Sequence, residues 1–219
     1  MCKTYDSFYK DSPPIPTQYL KRVLKLILQV NSFEFNGKNY LQTQGTAMGT
    51  EMAVAFPNIF MAEVETKILN QSALKPLVWK RYIDDMFSIW NIHKDQFTQF
   101  IELANKHHQT IKFTAEISYT KITFLDTNIF KGERFAEKSI LDIETHFKPT
   151  ETFQYPHFSS CHPLGVKKGF IKGEALRLLC TNSSENGFKT KISHFRASLI
   201  ERAYPESLIT ATLSWRYQI

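Results

Sequence analysis

Arg81-Tyr82-Ile83-Asp84-Asp85-Met86-Phe87-Ser88-Ile89-Trp90 is the stretch on which the reading of this chain turns. Two adjacent carboxylates stand at the joint between two short apolar runs, Leu77-Val78-Trp79 and Met86-Phe87-Ser88-Ile89-Trp90. Both runs are aromatic and β-branched, so they read as strands, with Tyr82 to Asp85 as the turn of a hairpin. One Asp suits a turn because its side chain hydrogen-bonds the local backbone. A second beside it brings like charges together at a hairpin tip, which is costly unless a cation neutralises them. Magnesium, a hard cation that takes one or two carboxylates and completes its shell with water and phosphate, meets that need. For the tetrapeptide alone a solvated turn is the plainer reading. The neighbouring motifs shift it.

The length of 219 residues corresponds to one medium domain, or one domain with a small second one. An apolar fraction of 42% and an aromatic fraction of 14% are enough for a substantial core, which argues against disorder. The formal charge of +6 is unevenly placed. Residues 1–146 hold 17 Lys+Arg against 16 Asp+Glu, whereas residues 147–219 hold 10 against 5, so the basic excess lies in the last third. That asymmetry points to a polyanionic partner there. Cys2, Cys161 and Cys180 form no paired framework and read as reduced thiols of an intracellular protein. Cys161-His162 with His157 lacks two further ligands at zinc spacing. No run approaches a membrane span and the N-terminus has no signal-peptide pattern, so no membrane partner is expected.

Along the chain, residues 1–16 are polar and Pro-rich and read as a loop. Thr17 suits an N-cap, and Leu20, Val23, Leu24, Ile27 and Leu28 then recur at helical spacing, with Lys21, Arg22 and Lys25 outward. Such a basic amphipathic helix can pack on a sheet or lie on a membrane. Phe33 to Leu41 alternate around Asn36-Gly37, the signature of a tight type I′ hairpin. Gln44-Gly45-Thr46-Ala47-Met48-Gly49-Thr50 reads as a loop whose backbone approaches something closely, or as an ordinary helix-entry loop. A helix is expected through Ile59, Phe60, Val64 and Ile68, with Glu63 and Glu65 outward. Beyond the aspartates the pattern predicts a helix over 94–108, strands over 111–118, 121–130 and 140–147, and helices over 165–180 and 189–202.

These motifs also have a recognisable order: Gln44 to Gly49, Tyr82-Ile83-Asp84-Asp85, Phe124-Leu125-Asp126-Thr127, His146-Phe147-Lys148-Pro149-Thr150 and Ser159-Ser160-Cys161-His162-Pro163. Over nearly its whole length the chain resembles the reverse transcriptase of Penelope-like retroelements. The resemblance implies an α+β fold: a right-hand polymerase palm over 1–146, with an antiparallel sheet and helices on one face, then a mainly helical thumb over 147–219. That thumb would include a helix-turn-helix-like segment. Gln44, Gly45, Thr46 and Gly49 match the loop that contacts template and incoming nucleotide. Tyr82, Asp84 and Asp85 match the metal-binding hairpin, Asp84 as the inner ligand of Mg²⁺ or Mn²⁺ and Asp85 as the peripheral one. Lys112 falls where such enzymes place a lysine near the departing pyrophosphate. Phe124, Leu125 and Asp126 match the primer grip. Lys148, Lys167, Lys168, Lys172 and Arg177 are then expected to track phosphate.

Partners implied by the resemblance are an RNA template, a DNA primer or RNA–DNA hybrid, and deoxynucleoside triphosphates, in a nuclear setting. Two departures bear on activity. The third carboxylate of the family's metal site belongs upstream of Gln44, where Asp6 and Asp11 lie in Pro-flanked polar sequence without a strand pattern. The chain is thus expected to begin between those motifs and to lack the fingers and the C-terminal endonuclease. One face of the palm would then expose extra apolar surface. Pro57 also stands where the family has a small residue, and Val54 where it has Pro; as Pro57 can remove a backbone bond, either the helix starts later or this copy is drifting from the family. The alternative function is a non-catalytic nucleic-acid-binding protein using the basic last third; a structural or interaction role is the third.

Overall fold

The structure, a computed structural model, describes residues 14–47, 49–50 and 52–214. It is α+β, with small antiparallel sheets in two compact units, Met1–Ala115 and Glu116–Ile219. The boundary expected near residue 147 falls inside the second unit, because strands before it and helices after it share hydrogen bonds.

In the first unit, α1 spans Thr17–Gln29 with Pro16 at the cap position, so Thr17 opens the helix instead of capping it. Strands β1 (Ser32–Phe35) and β2 (Lys38–Leu41) pair about Asn36 and Gly37, whose φ values of 50° and 72° give the positive pair a type I′ turn requires. Helix α2 (Met52–Gln71) runs straight through Pro57, so the later start does not occur. The hairpin β3 (Val78–Tyr82) and β4 (Asp85–Ile89) follows, then α3 (Lys94–Ala104). Val64 and Ile68 on α2 meet Phe100 and Ala104 on α3, each pair four residues apart and so on one helix face. Trp79, Trp90 and Ile101 close the cluster, with the Trp90 ring 4.6 Å from that of Phe100. By contrast no residue of α1, β1 or β2 is buried. Val23, Leu26, Phe33 and Phe35 face solvent, Phe35 with 70% exposed.

No strand forms at 111–118. The alternation is real, since Ile111 and Phe113 pack on the core, but a side chain replaces the partner strand. The Phe113 N–H donates to Asn105 Oδ1 at 2.6 Å, and Asn105 Nδ2 donates to the Phe113 carbonyl at 3.0 Å. The backbone donor and acceptor of Phe113 are thereby satisfied without a ladder.

The second unit opens with β5 (Lys121–Phe124) and β6 (Thr127–Phe130), a hairpin where one alternating run was expected; a short α4 (Glu133–Lys138) and β7 (Asp142–Thr145) follow. The sheet order is β5-β6-β7, all antiparallel. Three helices succeed it: α5 (Leu164–Cys180), α6 (Glu185–Glu201) and α7 (Glu206–Leu213). Helix α6 begins four residues before the periodicity suggests because the Ser184 hydroxyl accepts the Gly187 N–H at 3.0 Å, an N-cap. Ile171, Leu178, Phe188, Phe195, Leu199 and Ile209 form the core between the helices.

The α5–α6 turn lies along β7 in the manner of a further strand. Ser183 N donates to the Ile143 carbonyl at 2.9 Å, Ile143 N to Ser183 Oγ at 3.0 Å, and Thr145 N to Asn182 Oδ1 at 3.2 Å. Ser183 also donates to Asp142 Oδ1 at 2.8 Å, and Arg134 Nε adds a second bond to that oxygen at 2.5 Å. Burial opposes ionisation of Asp142, but the Ser183 and Arg134 donors outweigh it and hold the carboxyl below its ordinary range. Lys121, against a smaller burial effect and with help from Asn128, does the same for Glu144. Both folded-state values are depressed. Their stabilisation is therefore complete above the unfolded carboxylate values of about 4 and is lost as pH falls through the folded ones. Urea midpoints followed by circular dichroism should fall with acidification below that point. Asp142→Asn should be less stable at pH 7 and show a flatter acid limb; an unchanged limb would refute the assignment.

Candidate nucleic-acid interface and aspartate hairpin

The register pairs Tyr82 with Asp85 and leaves Ile83 and Asp84 as the two central turn residues. Ile83 has φ 55° and Asp84 no positive φ, the pattern of a type II′ turn, which ordinarily takes Gly first. A β-branched residue in the left-handed region costs about 1–2 kcal/mol. Tyr82, Ile83, Asp84 and Asp85 are all exposed, so both carboxylates stand at an open tip.

Beneath the tip Arg81 is almost enclosed, its side chain 11% exposed. It pairs through Nε with Glu65 and donates to Asn58 Oδ1 at 2.5 Å, to the Asn58 carbonyl at 3.1 Å and to the Ile83 carbonyl at 3.1 Å. Trp79 Nε1 reaches the other Glu65 oxygen at 3.4 Å. Glu65 therefore points inward, against expectation, while Glu63 stays exposed beside Lys67. The strand alternation carried the signal for Arg81, because it places residues 79 and 81 on one face and Trp79 is a core residue.

Two exposed adjacent carboxylates fit a hard cation that keeps much of its water. Among the described residues, no group of three or more His, Cys, Asp or Glu side chains is placed to hold a metal ion. Gly45 and Gly49 have φ of 79° and 89°, so the loop before α2 does need glycine at both places; Met48 lies outside the described residues. Gln44 is exposed and its carbonyl accepts from Gln42 Nε2 at 2.8 Å; Thr46 is half-buried. Lys112 donates to the Asn105 carbonyl at 2.9 Å, which makes it a ligand of the carbonyl end of α3.

In the second unit the β5–β6 turn repeats the aspartate hairpin's geometry, with Leu125 at φ 55° and Phe124 paired to Thr127. Asp126 at its tip accepts from Arg177 NH1 at 2.6 Å, while Arg177 grips Glu174 with Nε and NH2 at 2.9 and 2.7 Å. Glu174 first, and Asp126 after it, keep that guanidinium charged more firmly than usual. Arg177 and Lys191 both lie over the Phe147 ring, at 5.8 and 4.9 Å. Lys167, expected on phosphate, is instead 9% exposed. Its ammonium donates to the carbonyls of Phe158 at 2.6 Å and Ser160 at 2.8 Å, and sits over the Phe158 ring. Lys148, Lys168 and Lys172 are exposed, as phosphate contact requires. His157 and His162 each bond a serine hydroxyl, Ser159 and Ser160, through Nδ1.

Four residues join α5 to α6 and four join α6 to α7, around one shared core. Residues 154–214, which contain all three helices, match the family model described as an animal helix-turn-helix domain. No curated protein and no solved structure matches the chain. Among the described residues no helix is long and apolar enough to cross a membrane.

The geometry separates neighbouring lysines. Lys167→Ala leaves two carbonyls without their charged donor and should lower stability by about 2 kcal/mol in urea unfolding. Lys168→Ala should leave stability unchanged and weaken duplex binding. The reverse pattern would overturn the assignment of Lys167 to the interior.

Proposed function

We propose that the chain is the palm-and-thumb portion of an RNA-directed DNA polymerase of the Penelope-like retroelement type. The observation that carries this reading is the Tyr82–Asp85 turn, with two carboxylates exposed at a strained, side-chain-braced tip. The β5–β6 turn has the same backbone, but its aspartate is neutralised by Arg177, whereas Asp84 and Asp85 stand exposed, as a cation-holding pair requires. The helix-turn-helix match supports nucleic acid as the partner of the three-helix segment, as does the basic excess of residues 147–219.

Asp84 and Asp85 would hold Mg²⁺ or Mn²⁺, which when bound supplies charge neutralisation to a transferring phosphoryl group. Within this chain the hairpin presents the carboxylates, and the Gly45–Gly49 loop offers backbone that can lie close to template and deoxynucleoside triphosphate. Lys148, Lys168 and Lys172 meet phosphates of an RNA–DNA hybrid, whose A-form shape is read in preference to its sequence. A second reading, nucleic-acid binding without catalysis, is favoured by one specific observation. The helix-turn-helix match over residues 154–214 bears on nucleic-acid binding and not on nucleotide transfer.

Two measurements decide. Affinity for an RNA–DNA hybrid should fall at least about tenfold between 50 and 200 mM salt as phosphate contacts release counterions; equal affinity would sink nucleic-acid binding altogether. Two carboxylates on one turn recruit a single ion loosely, so the chain alone should extend no primer with Mg²⁺ or Mn²⁺. Any Mn²⁺ that the turn does hold should bind more weakly in Asp84→Asn. Unchanged Mn²⁺ affinity in Asp84→Asn would leave the non-catalytic reading standing.

A further inference from the structure

The geometry points to Arg81 as the positioning residue of the aspartate turn, setting Asp84 and Asp85 from below by holding the carbonyl of Ile83. The inference rests on the metal-binding reading of those aspartates, and its test is built to separate the two.

Arg81 can donate five N–H bonds in a rigid fork, and four are used. Three go to α2, through the Glu65 carboxylate and both oxygens of Asn58. The fourth goes to the Ile83 carbonyl, directly before Asp84, at the residue forced to φ 55°. A tie between helix and strand would need only the first three. The fourth bond holds the strained peptide in its orientation, and that orientation sets where the next two side chains emerge. Lysine cannot reproduce the fork, since its single ammonium cannot reach acceptors spread over Glu65, Asn58 and Ile83 together.

The test uses the full chain. Removing Arg81 alone would strand the Glu65 charge, so the working variant is Glu65→Leu with Arg81→Met, which replaces the buried pair by apolar side chains. Arg81→Lys serves as the milder companion. Amide exchange at Asp85 should accelerate about tenfold while Val78 and Ile89, at the far end of the hairpin, keep their protection. Mn²⁺ affinity, read by paramagnetic relaxation of water, should fall about tenfold, the scale for losing a group that orients a metal ligand. Adding Ile83→Gly, which adopts positive φ without strain, should then return both readouts toward the starting chain. A residue acting only as a tie between α2 and β3 would not be rescued by glycine at position 83. Unchanged exchange at Asp85, or no rescue by Ile83→Gly, overturns the role of Arg81. If the unaltered chain binds no Mn²⁺, the metal reading falls by itself, and the exchange pattern still decides Arg81.

Discussion

An aliphatic side chain held at positive φ is the constraint on which both units depend. Ile83 and Leu125 each occupy the first central position of a two-residue turn, and each precedes an aspartate. Glycine would take that conformation freely; Ile and Leu take it only where surrounding bonds compel it. Each turn also carries an arginine contact, though to different atoms. Arg81 grips the Ile83 carbonyl from beneath the first turn, and Arg177 grips the Asp126 carboxylate of the second while anchored on Glu174. In both cases a guanidinium fixed by a helix determines what a hairpin tip presents. Lysine, with its single mobile charge, could not tie three groups at once.

Part of the positive charge of residues 147–219 is neutralised by neighbouring groups. Lys167 is spent on two carbonyls, Arg177 on two carboxylates, Lys189 on Glu185 and Arg196 on Glu206. Such pairs cancel locally, and those at the surface add little to stability. The exposure of Lys148 and Lys168 therefore says more about residues 147–219 than the net charge of the segment does.

The first unit is less evenly packed than the second. Its buried core is confined to α2, α3 and the strands between them, while α1 and the β1–β2 hairpin keep their apolar side chains in contact with water. Phe33 stacks on Tyr40 across that hairpin with ring centroids 5.5 Å apart, so local cross-strand pairing maintains it where no core does.

Local chemistry was readable from residues alone. Asn36-Gly37 specifies its turn, aromatic and β-branched runs specify β3 and β4, and helical spacing specifies α2, α3 and α5, because each signal acts over a few residues; alternation over 121–130 marks extended chain but not the turn that divides it into β5 and β6. The exposure of Asp84 and Asp85 at a hairpin tip was legible for the same reason. Tertiary structure alone decided which polar groups would be partnered. Alternation at 111–118 promised a strand, and one Asn105 side chain satisfied that backbone instead. Lys167 and Lys168 are adjacent and chemically identical, yet one helix face is covered by the 158–160 segment and the next is open. Glu65 carries no mark in sequence that separates it from Glu63, and only the approach of Arg81 from a strand sixteen residues later turns it inward. A charged side chain takes its role from the partner that replaces its water, and that partner is brought by the fold.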